Sequence, residues 1–253
     1  MPGHNALGVE KERFNPAGFT PSWVVYEHEE RYRFAAAFAR GRTLVDAACG
    51  SGEGTRTFAE AGARWVHAFD IDPMAVAATA ERCKGLDVDV SRSDAGRLPL
   101  ADGAADVFVS FETIEHMEQP DALIAEAHRV LRPGGVFICS TPNREVYSPG
   151  ATDRTRPWNR FHVREFTTEE FAASLARHFP DCRIYGQNPR RPGHAALLGW
   201  LGRRLPGHSA VRLNQMSKLP RLLSPRRSRH AVQPGQADRV YEFNVAVCTK
   251  QGS

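Results

Sequence analysis

Four carboxylates and two histidines mark out the chemistry this chain could do. Asp46 stands just before a glycine-rich run, Gly50-Ser51-Gly52-Glu53-Gly54, where a carboxylate suits a ligand's ammonium better than its phosphate. Asp70 follows 24 residues later in FDIDP, and an acid there can accept hydrogen bonds from both hydroxyls of a ribose. Asp94 sits in SDAG, Glu112 and His116 in FETIEHMEQP, and His162 in NRFHVREF. Glu112, His116 and His162 could each take the proton of a hydroxyl as it attacks. The plainer readings are a structural hydrogen bond for His116 and a loop anchor for His162. The spacing of these residues is not that of metal ligands, which predicts that no metal is bound. Cys49 reads as a small buried residue of the turn, with no adjacent base to activate it.

The elements around these residues alternate between strands and helices. Leu44 to Ala48 reads as a short buried strand, the glycines as a turn, and Thr55 to Ala61 as the start of a helix. Such a turn brings backbone N–H groups and a helix N-terminus against a ligand, because no Cβ intervenes. Strands follow at Trp65–Phe69, Val88–Ser93, Ala105–Phe111 and Gly135–Ser140. Asp72-Pro73 caps a helix running to about Cys83, a second helix spans Asp121–Leu131, and Leu131 to Gly135 reads as a turn. Thr167 and Glu170 form a capping box for a helix to Phe179, and strands at Asp181–Tyr185 and Val240–Cys248 complete the pattern. This alternation predicts a mostly parallel sheet wrapped on both faces, with its ligand crevice at the carboxyl ends of the strands. Asp46, Asp70, Asp94 and Phe111-Glu112 all fall at such ends.

Two cofactor chemistries use a glycine turn of this kind, nucleotide phosphate binding and S-adenosylmethionine (SAM) binding. The dinucleotide fingerprint needs glycine at 55, where Thr55 stands, and the phosphate-loop ending G-K-[ST] is absent. The residues favour SAM. The run DAACGSGEG, followed by Asp70, resembles motif I and the acidic strand end of class I SAM-dependent methyltransferases. The likeness continues through the LP-x-x-D-G loop, the strand ending in E-H, and R-V-L-R-P-G-G. It is firm over residues 42–141 and looser over 13–185. It implies a Rossmann-like sheet of seven strands, mostly parallel, with helices on both faces and an antiparallel last strand inserted between the fifth and sixth. It also implies cofactor contacts from Asp46, Ala48, Gly50, Gly52, Asp70, Ile71, Asp94, Ala95 and Phe111, with Asp94 on the adenine amino group and Ala95 N–H on the ring.

Residues 1–41 read as an irregular arm and a helix, 42–185 as the cofactor-binding core, 186–238 as an insertion and 239–253 as the final strand and tail. The first helix is expected to turn Tyr26, Phe34, Ala37 and Phe38 to one face and to leave His28, Arg31 and Tyr32 on a polar one. EHEERY within it resembles a helix of bacterial methyltransferases associated with glycan and polysaccharide assembly. That likeness implies that Arg31 meets a carboxylate, either of SAM or of the substrate. STPNR and N-x-FHVREF point the same way, so the expected reaction is O-methylation of a sugar or glycan-linked intermediate. The series E-H…R-V-L-R-P-G-G…S-T-P-N-R also resembles quinone-type O-methyltransferases, which leaves O- or N-methylation of a small phenol, quinone precursor or natural product open. A SAM-binding scaffold without turnover is the alternative outside enzymes.

Charge is distributed unevenly. Residues 186–237 hold ten Lys or Arg and no Asp or Glu, which leaves the rest of the chain at −6 against a total of +4. Such a segment suits a solvated lid, a phosphate-bearing or lipid-linked substrate, or peripheral contact with an anionic membrane surface. No nucleic-acid-reading module is recognisable, so a small molecule or glycan is the expected partner. Five scattered cysteines without C-x-x-C spacing predict reduced thiols and no disulfide framework, as in the cytoplasm. MPGHNALGVEKERF has no apolar stretch of the kind a secretory leader carries.

Overall fold

The computed structural model of the protein describes residues 22–190, 230–236 and 239–252. The basic stretch from 191 to 229, with the phosphate and membrane readings attached to it, lies outside the described residues, as does the arm before residue 22. In chain order the elements are α1 (Ser22–Ala36), β1 (Thr43–Ala47), α2 (Glu53–Glu60), β2 (Trp65–Asp70), α3 (Pro73–Arg82), β3 (Val88–Arg92) and β4 (Ala105–Phe111). A 3₁₀ turn (Ile114–His116) leads to α4 (Pro120–Val130), β5 (Leu131–Pro142), α5 (Arg144–Tyr147), α6 (Thr168–Ala176), β6 (Asp181–Arg190), β7 (Gln233–Pro234) and β8 (Val240–Thr249).

The strands form one sheet in the order β3-β2-β1-β4-β5-β8-β6-β7. β1 pairs in parallel with β2 and β4, β2 with β3, and β4 with β5, while β8 runs antiparallel between β5 and β6. The inserted antiparallel strand is therefore as expected. The count is not: the sheet has eight strands among the described residues rather than seven, because Gln233–Pro234 adds a two-residue edge to β6. β6 also runs on to Arg190, five residues past its expected end, since its partner β8 begins as early as Val240.

Side-chain alternation builds a core on each face. Val45, Ala47, Phe108, Phe137 and Cys139 point to one face, where Leu123, Ile124 and Ala127 of α4 and Phe171 and Leu175 of α6 cover them. Leu44, Val66, Val107, Val109, Ile138 and Val245 point to the other, against Ala35 of α1 and Phe58 of α2. The helix starts follow local chemistry. Asp72 accepts from Met74 N at 2.9 Å with Pro73 in the first turn, and Thr167 and Glu170 form the reciprocal capping box.

Three expectations change. The buried row of α1 runs through Glu27, Arg31 and Ala35, while Ala37 is exposed. Polar side chains of β6 reach over to meet the two charged groups. Gln187 accepts from Arg31 and Asn188 donates to Glu27. Leu131 to Gly135 is drawn into β5, with Leu131 opposite Ala105 and Val136 opposite Val107 across an irregularity. Finally, Cys182 and Cys248 lie directly opposite on β6 and β8 and are joined in a disulfide, leaving Cys49, Cys83 and Cys139 as buried thiols. The separation of 66 positions between the two cysteines conceals a pairing that only the strand register creates.

Candidate active site

The carboxyl ends of β1, β2 and β4 and the loop after β3 open on one edge of the sheet, and the backbone there is shaped by the glycine turn. Gly50 has φ 57° and Gly52, the residue before α2, has φ 82°. A Cβ on Gly52 would stand 2.9 Å from the Cα of Thr79, so the turn packs on the backbone of α3 and leaves no room for a side chain. Ala48 also takes a left-handed conformation, φ 65°. Asp70 straps the turn in place: one carboxylate oxygen accepts from Gly50 N at 2.9 Å and the other from Asp72 N at 2.9 Å. A carboxylate oxygen carries two lone pairs and can accept more than one hydrogen bond.

Asp46 is almost fully buried at the end of β1 and accepts a 2.6 Å hydrogen bond from Thr55 Oγ1. Burial raises its pKa to about 7; the Thr55 bond opposes this and the charge of Asp70 adds to it. A carboxylate held at the edge of ionisation is well placed to gain from an incoming ammonium. Burial likewise pushes the Cys49 thiol well up, in keeping with an inert packing role. Asp94 Oδ1 accepts from Gly96 N at 2.8 Å, which orders the loop that carries Ala95. Ile71 is 56% exposed, an apolar side chain on open view beside Asp70. Phe111 packs near the Tyr32 ring, 6.1 Å between centroids, and Tyr32 fills the space over Gly54.

A second, carboxylate–imidazole cluster adjoins this edge. Glu112, directly after β4, adopts φ 51° and accepts from Ser140 Oγ at 2.6 Å. Glu115 is fully buried in the 3₁₀ turn; Thr141 Oγ1 donates to its Oε2 at 3.0 Å, and its Oε1 has no hydrogen-bond partner. Burial and then the charge of Glu112 hold the Glu115 carboxyl well above the usual range, against the opposing charge of His162. Backbone N–H groups of Val163 and Arg164 donate to the Glu115 carbonyl at 2.9 and 3.2 Å, which fastens the loop around His162 onto the turn. The His116 ring donates from Nδ1 to the Phe161 carbonyl at 3.0 Å. His162, buried, donates from Nδ1 to Glu165 Oε1 at 2.6 Å, and its Nε2 faces Asn159 Nδ2 at 2.9 Å. The Asn159 amide is oriented by its oxygen, which accepts from Phe161 N at 3.1 Å.

The two histidine rings meet edge to face with centroids 4.9 Å apart. Ligand-capable atoms of Glu115, His116 and His162 all lie within 4.8 Å of one another. Their spacing along the chain gave no sign of a shared ligand set, yet the fold brings these three side chains together. Sequence spacing concealed the arrangement because His162 is carried back by a loop. Glu115 and Glu165 were missed altogether; the only signal was a second acid beside His116.

Arg31 lies toward β6 and β8. It is fully buried, donates from Nη1 to Gln187 Oε1 at 2.5 Å, and stacks 4.4 Å from the centre of the Phe243 ring. Its Nε and Nη2 have no partner. A buried guanidinium with unmet donors is a site for an anion.

Residues 45–139 match the family model described as a methyltransferase domain. A "Probable S-adenosylmethionine-dependent methyltransferase" of Mycolicibacterium smegmatis is 38% identical over 171 residues, 68% of this chain and 64% of that protein. A ubiquinone biosynthesis O-methyltransferase of Cereibacter sphaeroides is 35% identical over 110 residues, 43% of this chain and 44% of that one. The chain thus spans less than two thirds of the curated relatives it matches. In fold, it is similar to a Thermotoga maritima crystal structure described as a SAM-dependent methyltransferase and possible histamine N-methyltransferase. The TM-score is 0.60, with 18% identity, over 90% of this chain and 93% of that one.

Proposed function

We propose that this chain, whose residues 45–139 form a methyltransferase domain of the class I SAM-dependent kind, moves the methyl group of SAM to a hydroxyl of a sugar or glycan-linked acceptor. The observation that carries the reading is the adjacency of two unlike sites on one sheet edge. Acids surround a glycine cradle on one side, and a carboxylate–imidazole cluster stands at the ends of β4 and β5 on the other. The residues fit SAM, because the cradle is closed to any Cβ at Gly52 and the acids match the ligand's cationic and hydroxylic parts.

SAM supplies a methyl group on a sulfonium that leaves by in-line displacement. The work of the chain is alignment and exclusion of water. Asp46 receives the ammonium, Asp70 the ribose hydroxyls, Asp94 and Ala95 the adenine edge, and Ile71 an adenine face. Ala48, Gly50 and Gly52 give the backbone cradle, and Phe111 and Tyr32 wall off the methyl group. Arg31 offers its two unmet donors to a carboxylate, of SAM or of the acceptor. The acceptor oxygen lies toward Glu112, His116 and His162, and its proton leaves on that side.

A phenolic or quinone-precursor acceptor is the second reading, favoured by the likeness to the Cereibacter sphaeroides O-methyltransferase. Labelled SAM offered with nucleotide sugars, lipid-linked glycans and phenols separates the two. Label in a glycan supports the first reading, and label confined to phenols supports the second. Tight SAM binding with no label in any acceptor would leave a scaffold.

A further inference from the structure

We propose that Glu115, His116 and His162 bind a divalent transition-metal cation such as Mn²⁺ or Zn²⁺, and that the cation takes the acceptor's hydroxyl as a further ligand. Binding of the ion is independent of the methyl-transfer reading; its role in catalysis rests on that reading.

The geometry is that of a donor set nearly closed. A metal bound by nitrogen and oxygen at about 2.0–2.2 Å holds its ligand atoms no more than about 4.4 Å apart. Neighbouring ligands of one such ion stand about 3–3.5 Å apart, and the three side chains already bring theirs within 4.8 Å, so side-chain shifts of about an ångström complete the set. Both rings are oriented as ligating imidazoles are. His116 gives its Nδ1 proton to the Phe161 carbonyl and His162 gives its own to Glu165, so the lone pair of each ring is on Nε2. The Asn159 amide, which now donates to His162 Nε2, is the group that the ion displaces.

Glu115 supplies the independent observation. A wholly buried carboxylate oxygen without a partner is rare, and Oε1 of Glu115 is one. Glu165 Oε2 is another on the same cluster. Among the described residues neither carboxylate is paired with a lysine or arginine, and Glu112 adds a third acid nearby. Among the described residues, three acids and two imidazoles gather here without a paired lysine or arginine, a deficit of positive charge that an ion fills. Two nitrogens and one carboxylate oxygen suit a transition metal better than Ca²⁺, which prefers an all-oxygen shell.

With the ion in place, His116 is a ligand rather than a base. The acceptor hydroxyl binds at an open position and is acidified there. Its proton passes to Glu112 and on to solvent. The oxygen forms its bond to the methyl carbon as the carbon–sulfur bond breaks, and a neutral thioether leaves.

The test is direct. Chelator-treated, dialysed protein is titrated calorimetrically with MnCl₂ and with ZnCl₂, and Mn²⁺ binding is followed in parallel by loss of the free-ion EPR signal. One ion per chain is expected, weakened at least tenfold in Glu115→Gln and His116→Gln, with SAM binding retained as the check on folding. Absence of binding in the wild-type protein overturns the proposal. So does binding that neither substitution weakens, since the ion then sits elsewhere. Binding with no methyl transfer to any acceptor supports the site and sinks the methyl-transfer reading. Full transfer by metal-free protein removes the catalytic role.

Discussion

With Asp46 receiving the ammonium, as proposed above, SAM affinity becomes a function of pH in a way that can be worked out beforehand. Its carboxyl is buried beside Asp70 and ionises only near pH 7. An ammonium placed against it requires the ionised form, so below that pH binding expels one proton and affinity falls about tenfold per pH unit. At pH 5.5 about 3% of the carboxyl is ionised, which weakens binding about thirtyfold, about 2 kcal/mol, relative to the plateau. The rise ends near pH 8, about where a free α-amine gives up its own proton. Calorimetric titration of SAM at several pH values, each in two buffers of different ionisation enthalpy, reads both the affinity and the proton count. Asp46→Asn keeps an acceptor for Thr55 Oγ1 and is expected to bind weakly with no slope. Constant wild-type affinity from pH 5.5 to 7, with no proton released, would show that Asp46 does not face the ammonium.

The same carboxyl sets a trend in stability without ligand. The folded state keeps the Asp46 proton up to about pH 7 while the unfolded chain loses it near the model value of 3.8. Relative to Asp46→Asn, wild-type stability should therefore fall as pH rises between those values, by up to about 1.4 kcal/mol per unit, as read from urea unfolding. Two glycines of the turn should respond differently to alanine. Gly50→Ala meets open space and bears only the left-handed backbone cost of about 1–2 kcal/mol. Gly52→Ala adds a clash with the Thr79 backbone and should lower the unfolding midpoint further and abolish SAM binding. Thiol titration of the denatured protein should find three groups before reduction and five after it; five at the outset would mean that Cys182 and Cys248 are not joined.

What could be read from the residues is what local chemistry determines. Asp72-Pro73 and Thr167…Glu170 begin helices by bonds within three residues, and the acids at strand ends follow once strands and helices alternate. The parts that escaped depend on register between distant strands. Arg31 is buried because Gln187, 156 residues later, reaches it, and the pattern of α1 alone pointed to a different face. Leu131-Gly135 resembles a turn by composition, yet Ala105 pairs with Leu131 and extends β5. Glu115 was one of two acids in E-T-I-E-H, and only the loop that brings His162 back against His116 distinguishes it. Cys182 and Cys248 belong to the same class of long-range fact.

The position of β8 has a consequence for how the polypeptide matures. Among the described residues β6 pairs only with β8 and the two residues of β7, and β5 has an open side until β8 fills it. During synthesis β1 to β5 can assemble as the chain emerges, whereas β6 waits for its place in the sheet until residues 240–249 leave the ribosome. The stacking of Arg31 on Phe243 is added in that last step. A nascent chain stalled before residue 240 would hold the glycine cradle yet leave Arg31 without Phe243.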